Sequence, residues 1–270
     1  MIETFLLIIL FIVGIYFGSF FTLATYRLPK KENIIYKHSY CPNCNHKLGI
    51  LDLVPIFSYL FLGGKCRYCK NPIGIRYFLF EILTGIVFVL LGISLKIDIY
   101  NIEIIKIIYL GLVILYIASL FIIAGINKEQ DKIQKSVLYF GIGICVVYII
   151  YSCTLNLENV YKYVIYLCMM LILILLDTLS FKKNLKYNET IQICILILYM
   201  LIITGEYITI FTLLFTILMM GIENIMMHIK KRKSQKVRTK KTKRPIAFYL
   251  CVANIILLIG SNFLINYMVK

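Results

Sequence analysis

Acidic residues are scarce in this chain. Four Asp and nine Glu stand against 29 Lys and Arg, so chemistry that needs paired carboxylates has few candidates to draw on. Polar stretches are scarce too, and before Asn127 there is one long polar interval, Tyr26 to Glu81. With 61 % hydrophobic residues and a mean hydropathy of +0.87, a soluble globular domain is excluded. No glycine-rich strand–turn–helix motif offers a nucleotide cradle. The first apolar run has neither a basic leader nor a small-residue cleavage site, so it is expected to be a retained helix rather than a signal peptide. No two Gly/Pro-broken spans occupy corresponding halves, which disfavours a small-solute transporter. No low-complexity tract or internal repeat is evident.

What is present is a series of apolar runs, most near the about 17–25 residues that cross a hydrocarbon core of about 30 Å. Phe5–Leu23 comes first, and Arg27, Lys30 and Lys31 follow at once. The positive-inside rule then puts the N-terminus outside and this end in the cytoplasm. Further spans are expected at Tyr77–Leu95, Ile104–Ile126, Val137–Tyr151, Tyr161–Leu179, Ile191–Ile203, Ile208–Met227 and Ile246 to about Tyr267. Outer turns fall at Lys96–Asn101, Asn156–Asn159 and Gly205–Glu206. All four loops rich in Lys or Arg fall on the inner side. The last holds ten Lys or Arg among the fifteen residues Lys230–Arg244, with no acid between them. Between two apolar spans such a run is a topogenic signal and not a nucleic-acid site.

The expected fold is an all-α polytopic protein of the cell membrane, surrounded by lipid, with about eight transmembrane helices. Helix 1 covers residues 1–25, a cytoplasmic Cys-rich insert 26–76, helices 2–7 residues 77–228, the basic cytoplasmic loop 229–245, and helix 8 residues 246–270. Within the insert stand two Cys-x-x-Cys knuckles, Cys41/Cys44 and Cys66/Cys69, separated by 21 residues. Four thiolates at such spacing close a tetrahedral, zinc-ribbon-like site whose metal supplies folding energy. The alternatives are two disulfides or four unrelated thiols, and a reducing cytoplasm favours zinc. His38 and His46 are not needed as ligands, since four Cys fill the site. The other five cysteines lie in or beside apolar spans and read as small hydrophobes.

Three carboxylates lie at the inner ends of spans. Asp177, near the end of the fifth, either reaches the interface towards Lys182 or Lys183 or is a functional group at membrane depth. Glu189 opens the sixth, where an acid complements the helix dipole or serves the chemistry. Asp131 lies in the loop after the third, where solvated charge is the default.

The stretch Gly18-Ser-Phe-Phe-Thr-Leu-Ala-Thr-Tyr-Arg-Leu-Pro29 resembles the start of the type IV prepilin leader peptidase/N-methyltransferase family. The likeness continues through Cys41-Pro-Asn-Cys44, Asp52-Leu-Val-Pro55, Ser58-Tyr-Leu60, Cys66-Arg-Tyr-Cys69, Pro72, Arg76-Tyr77 and Glu81 to Gly85. It implies an aspartic endopeptidase that cuts the basic leader from prepilin or pseudopilin precursors at the cytoplasmic face. It also implies a methyltransferase that modifies the new N-terminus with S-adenosylmethionine. Arg27, Arg76 and Glu81 are then candidates for substrate docking or methyl transfer, or else ordinary interfacial anchors.

The second half departs from the family pattern. Asn127 stands at the family's first catalytic Asp, and Glu189 at its second, within Lys186-Tyr-Asn-Glu189 in place of Gly-x-Gly-Asp. Asn cannot hold or pass a proton. Two readings follow. Asp131, one helical turn beyond Asn127, pairs with Glu189 or Asp177 to restore a proton-sharing dyad. Alternatively the peptidase half is degenerate, leaving a methyltransferase or a non-catalytic scaffold for pilin-like helices.

Overall fold

The computed structural model describes residues 2–268 apart from 35, 37, 96–103, 156–159, 180–184 and 234–244. The expected outer turns at Lys96–Asn101 and Asn156–Asn159, together with Lys182, Lys183 and most of the basic loop, lie outside the described residues. Helices α1 (Ile2–Arg27), α2 (Phe57–Phe61), α3 (Ile75–Ser94) and α4 (Ile104–Gln130) come first. They are followed by α5 (Lys135–Leu155), α6 (Val160–Leu179), α7 (Leu185–Lys233) and α8 (Ile246–Met268). These segments are dense in Ile, whose helix propensity in water is modest. In a bilayer every backbone amide and carbonyl must be satisfied within its own segment, and that requirement overrides propensity.

Among the described residues, seven helices are long and apolar enough to span. One of them runs 40 residues, Asn188–Met227, or about 60 Å if straight, twice the hydrocarbon thickness. It breaks at Gly205, whose φ of 82° and ψ of 174° are not helical. The Asn254 side-chain nitrogen lies 3.5 Å from the Thr204 hydroxyl and 3.1 Å from that of Thr212. A straight helix would hold those two threonines about 12 Å apart, so the chain doubles back at Gly205. α7 is therefore two spans, and the expected total of about eight holds.

The chain divides into two compact units, Met1–Ile114 and Leu115–Lys270. In the first, α1 and α3 run antiparallel with their backbones in close contact. A Cβ added at Gly14 would lie 2.8 Å from Gly85 Cα, and one added at Gly18 would lie 2.9 Å from Glu81 Cα. Lipid tails give no hydrophobic drive between helices, so close approach through small residues is what holds such a pair. In the second unit, α4, α7 and α8 meet around buried polar groups. Tyr116 donates to Asn254 Oδ1 at 2.6 Å, and the hydroxyls of Ser119 and Tyr199 are 2.7 Å apart.

The close α1–α3 contact makes a testable difference between glycines. Gly18→Leu is expected to lower the thermal unfolding midpoint in detergent, at a cost of about 1–3 kcal/mol for overpacking. Gly143→Leu, with nothing within 4 Å of its Cβ position, should leave the midpoint unchanged.

Candidate functional site

Two sites emerge, one in each unit. In the first, the two Cys-x-x-Cys turns are built to the same backbone plan. The Cys41 amide donates to the His46 carbonyl and its own carbonyl accepts from Asn45; the Cys66 amide donates to Asn71 and its carbonyl accepts from Lys70. Asn45 (φ 55°) and Lys70 (φ 59°) take the same left-handed conformation, and each turn is closed by one antiparallel bridge, Tyr40–Lys47 and Lys65–Pro72. The two knuckles named in the sequence thus share one backbone plan at a 25-residue offset, although beyond the cysteines the two arms have little side-chain identity.

Together the knuckles bring the Sγ atoms of Cys41, Cys44, Cys66 and Cys69 within 4.8 Å of one another. Zinc–sulfur bonds of about 2.3 Å imply sulfurs about 3.8 Å apart along the edges of a tetrahedron. Cys41 Sγ and Cys69 Sγ are 3.8 Å apart. A disulfide needs about 2.05 Å, and the cysteines are free thiols. The residues fit a metal of zinc type. His46 stacks on Tyr68 with ring centroids 3.6 Å apart and stays out of the tetrad. The Asn71 backbone amide and the Asn43 side-chain amide pull the Cys69 thiol down to about 6. The His46 amide lowers Cys44 as well, yet burial and the neighbouring Cys41 and Cys69 sulfurs push it up to about 11.

Asp52 clamps the two arms. Its Oδ1 accepts from Arg67 Nε at 2.6 Å, and its Oδ2 from the Gly49 amide at 3.1 Å and the Tyr68 hydroxyl at 3.3 Å. Burial raises its carboxyl, but these donors outweigh it and hold the group below the usual carboxylate range.

The three charged candidates of this unit fare differently. Arg27 is 2 % exposed, and its guanidinium donates to the carbonyls of Asn33, Ile34 and His38. Glu81, also buried, accepts from the Ile56 amide at 2.8 Å. Both are engaged with the backbone of the insert. Arg76 stands at the surface against Tyr77.

In the second unit the ends of α4 and α6 and the starts of α5, α7 and α8 gather. Asp177 is 1 % exposed and accepts from Lys135 Nζ at 2.7 Å, Tyr139 at 3.4 Å and Gln192 Nε2 at 3.5 Å. Its cation is Lys135, at the start of α5. Lys182 and Lys183 are outside the described residues. Glu189, half-buried, lies one turn before Gln192 on the same face of α7. Asp131 is not on a helical face, because α4 ends at Gln130 and Asp131 itself turns to φ 54°. Its amide donates to the Asn127 carbonyl, closing the helix end, which corrects the i+4 argument that would have brought it to the face of Asn127. Asn127 Oδ1 accepts from the Phe248 amide at 3.0 Å, an amide that also donates to the Pro245 carbonyl at 3.1 Å, so the end of α4 is tied to the first turn of α8. Lys135 and Gln192 were missed in the sequence, since both read as ordinary helix-start polar residues.

Residues 12–95, covering the knuckles and most of α1 and α3, match the family model described as Bacterial Peptidase A24 N-terminal domain. The chain is 40 % identical over 81 residues to a "Prepilin leader peptidase/N-methyltransferase" of Myxococcus xanthus, covering 30 % of this chain and 24 % of that protein. Similar proteins of the same name occur in Klebsiella pneumoniae (40 % over 89 residues, 31 % and 39 %) and Bacillus subtilis (40 % over 93 residues, 34 % and 38 %). The chain spans well under half the length of these relatives. No solved structure matches. The resemblance to the prepilin leader peptidase/N-methyltransferase family, read between Gly18 and Gly85, is borne out.

Two outcomes follow for the first unit. Purified protein carrying Cys41→Ser with Cys66→Ser should lose about one equivalent of zinc by metal analysis. Because the Asp52 carboxyl is lowered in the folded state, the stability it adds is present above the ordinary Asp value of about 3.9 and fades as pH drops below it. At neutral pH, Asp52→Ala should therefore speed zinc transfer to a chelator several-fold, and Asp52→Asn should do so less.

Proposed function

We propose that this chain handles prepilin or pseudopilin precursors at the cytoplasmic face of the cell membrane through its N-terminal unit, and that its second unit holds an apolar helix without cutting. The observation that carries this reading is the state of the carboxylates. By the resemblance, Asn127 and Glu189 stand at the family's two aspartate positions, and the buried Asp177 is matched to an ammonium group. A proton-sharing dyad needs two carboxyl groups in contact, so that like charge keeps one of them protonated. Here Asp131 has left the helical face, and Asn127 serves as an acceptor for the start of α8.

In the N-terminal unit a zinc ion held by Cys41, Cys44, Cys66 and Cys69 would be structural, since four thiolates leave no open position for water or substrate. Its work would be to fix the loops carrying Asp52 and Arg67 beside the membrane ends of α1 and α3. The match over residues 12–95 to relatives whose names include N-methyltransferase supports retention of methyl transfer in this unit. The described residues form no glycine-rich strand–turn–helix cradle, so S-adenosylmethionine rests on the resemblance alone. No step is assigned to it.

Co-expression of the chain with type IV prepilins in cells that lack any other leader peptidase, followed by mass measurement of the precursor N-termini, tests the proposal. Leaders are expected to remain uncut. Cleavage that disappears in both Asp177→Asn and Glu189→Gln would establish an active peptidase and overturn this reading. A methyl group on pilins cut by a co-expressed peptidase would assign the transfer to this chain.

A further inference from the structure

Between the two knuckles the chain carries a segment that the metal site does not use. Residues 50–61 expose their large apolar side chains: Ile50 is 86 % exposed, Leu51 72 %, Phe57 54 %, Leu60 58 % and Phe61 85 %. Phe57 and Phe61 lie one turn apart on α2 with ring centroids 6.5 Å apart, so they project from one side. In a water-exposed loop such a cluster would be a liability.

The segment's height is fixed by three contacts with the region where α3 begins. The Ile56 amide donates to Glu81 Oε2 at 2.8 Å, the Tyr59 ring stacks on Phe78 with centroids 5.0 Å apart, and the Tyr59 hydroxyl reaches the Ile73 carbonyl at 3.5 Å. Helix α3 has 20 residues and is about 30 Å long, matching the hydrocarbon core. Glu81 lies six residues beyond Ile75, about 9 Å into that length. A segment hydrogen-bonded at that depth cannot stand clear of the membrane. Ile56 holds a left-handed φ of 64°, unfavourable for a β-branched residue, and that turn is what delivers its amide to the carboxylate. The surrounding charge is consistent with the same place. From Tyr26 to Arg76 there are nine Lys or Arg and two acids, a balance suited to the anionic cytoplasmic leaflet.

We infer that residues 50–61 form a membrane-inserted foot, in which α2 lies in the headgroup–acyl boundary with Leu60, Phe57 and Phe61 in lipid, tied to the span by the Glu81–Ile56 hydrogen bond. The partner is the bilayer itself. Half-immersion of this kind, about 5–10 Å deep, is how short amphipathic segments seat in an interface. It would fix the Cys-rich insert at a set height over the inner membrane face, independently of what the chain does to a precursor.

The chain contains no tryptophan, so a single introduced indole reports its own surroundings. Full-length Phe61→Trp, checked for retained zinc, is reconstituted in phosphatidylcholine–phosphatidylglycerol vesicles, and Tyr36→Trp, at a site 82 % exposed, serves as the aqueous reference. The Phe61→Trp emission should be blue-shifted and lose more than half its intensity to lipids brominated along the acyl chain, while iodide quenches only Tyr36→Trp. If Phe61→Trp loses zinc, Leu60→Trp takes its place with the same expectation. Water-like emission from the α2 indole, quenched by iodide and not by bromolipid, would overturn the inference. So would a blue shift that appears only after a prepilin helix is added, which would assign the patch to a protein partner.

Discussion

A lysine nitrogen 2.7 Å from a carboxylate that is 1 % exposed is the contact on which the second unit depends. An ionised carboxylate at membrane depth without a partner is not sustainable, and here the partner comes from the start of the neighbouring α5. The pair joins α5 to the end of α6, and Gln192 adds α7 to the same point. Three helix ends are therefore gathered by one charge. The same rule governs the interior, where Tyr116, Asn254, Thr204 and Thr212 satisfy one another across α4, α7 and α8.

In the first unit the rule takes a different form. Arg27 and Glu81 carry charge into buried positions, and each is used on backbone groups of the Cys-rich insert: Arg27 on carbonyls, Glu81 on an amide. They are the means by which a loop with little core of its own is attached to the α1–α3 pair. The four-thiol site joins the two arms of the insert, and Asp52 cross-links them a second time. Arg27 and Glu81 thus fasten the insert to the helix pair, while Arg76 stands at the surface.

The spans were legible because lipid imposes one signal, an apolar run of sufficient length, and the knuckles because metal turns need fixed spacing. Gly205 was legible as a turn even though the helix on either side continues almost without interruption. What could not be read were contacts between residues distant in the chain. Nothing near Asp177 in sequence points to Lys135, 42 positions earlier. Asp131 looked like an i+4 neighbour of Asn127 because periodicity assumes that the helix continues, and the backbone leaves the helix at that residue. The pairing of the knuckles was legible too, and the structure adds that their main-chain hydrogen bonds repeat along with the cysteines.

The central claim is that Asp177 is held as one half of a structural ion pair rather than as a proton-sharing catalytic group. A double-mutant cycle in thermal unfolding of the reconstituted protein tests it most directly. Lys135→Met alone should destabilise strongly, towards the about 3–5 kcal/mol of an orphaned buried charge but less, because Lys135 keeps 29 % exposure. Lys135→Met combined with Asp177→Leu should recover most of that loss, since an apolar pair replaces a matched one. If instead the two substitutions simply add, Asp177 is not balanced by Lys135, and the account of the second unit fails.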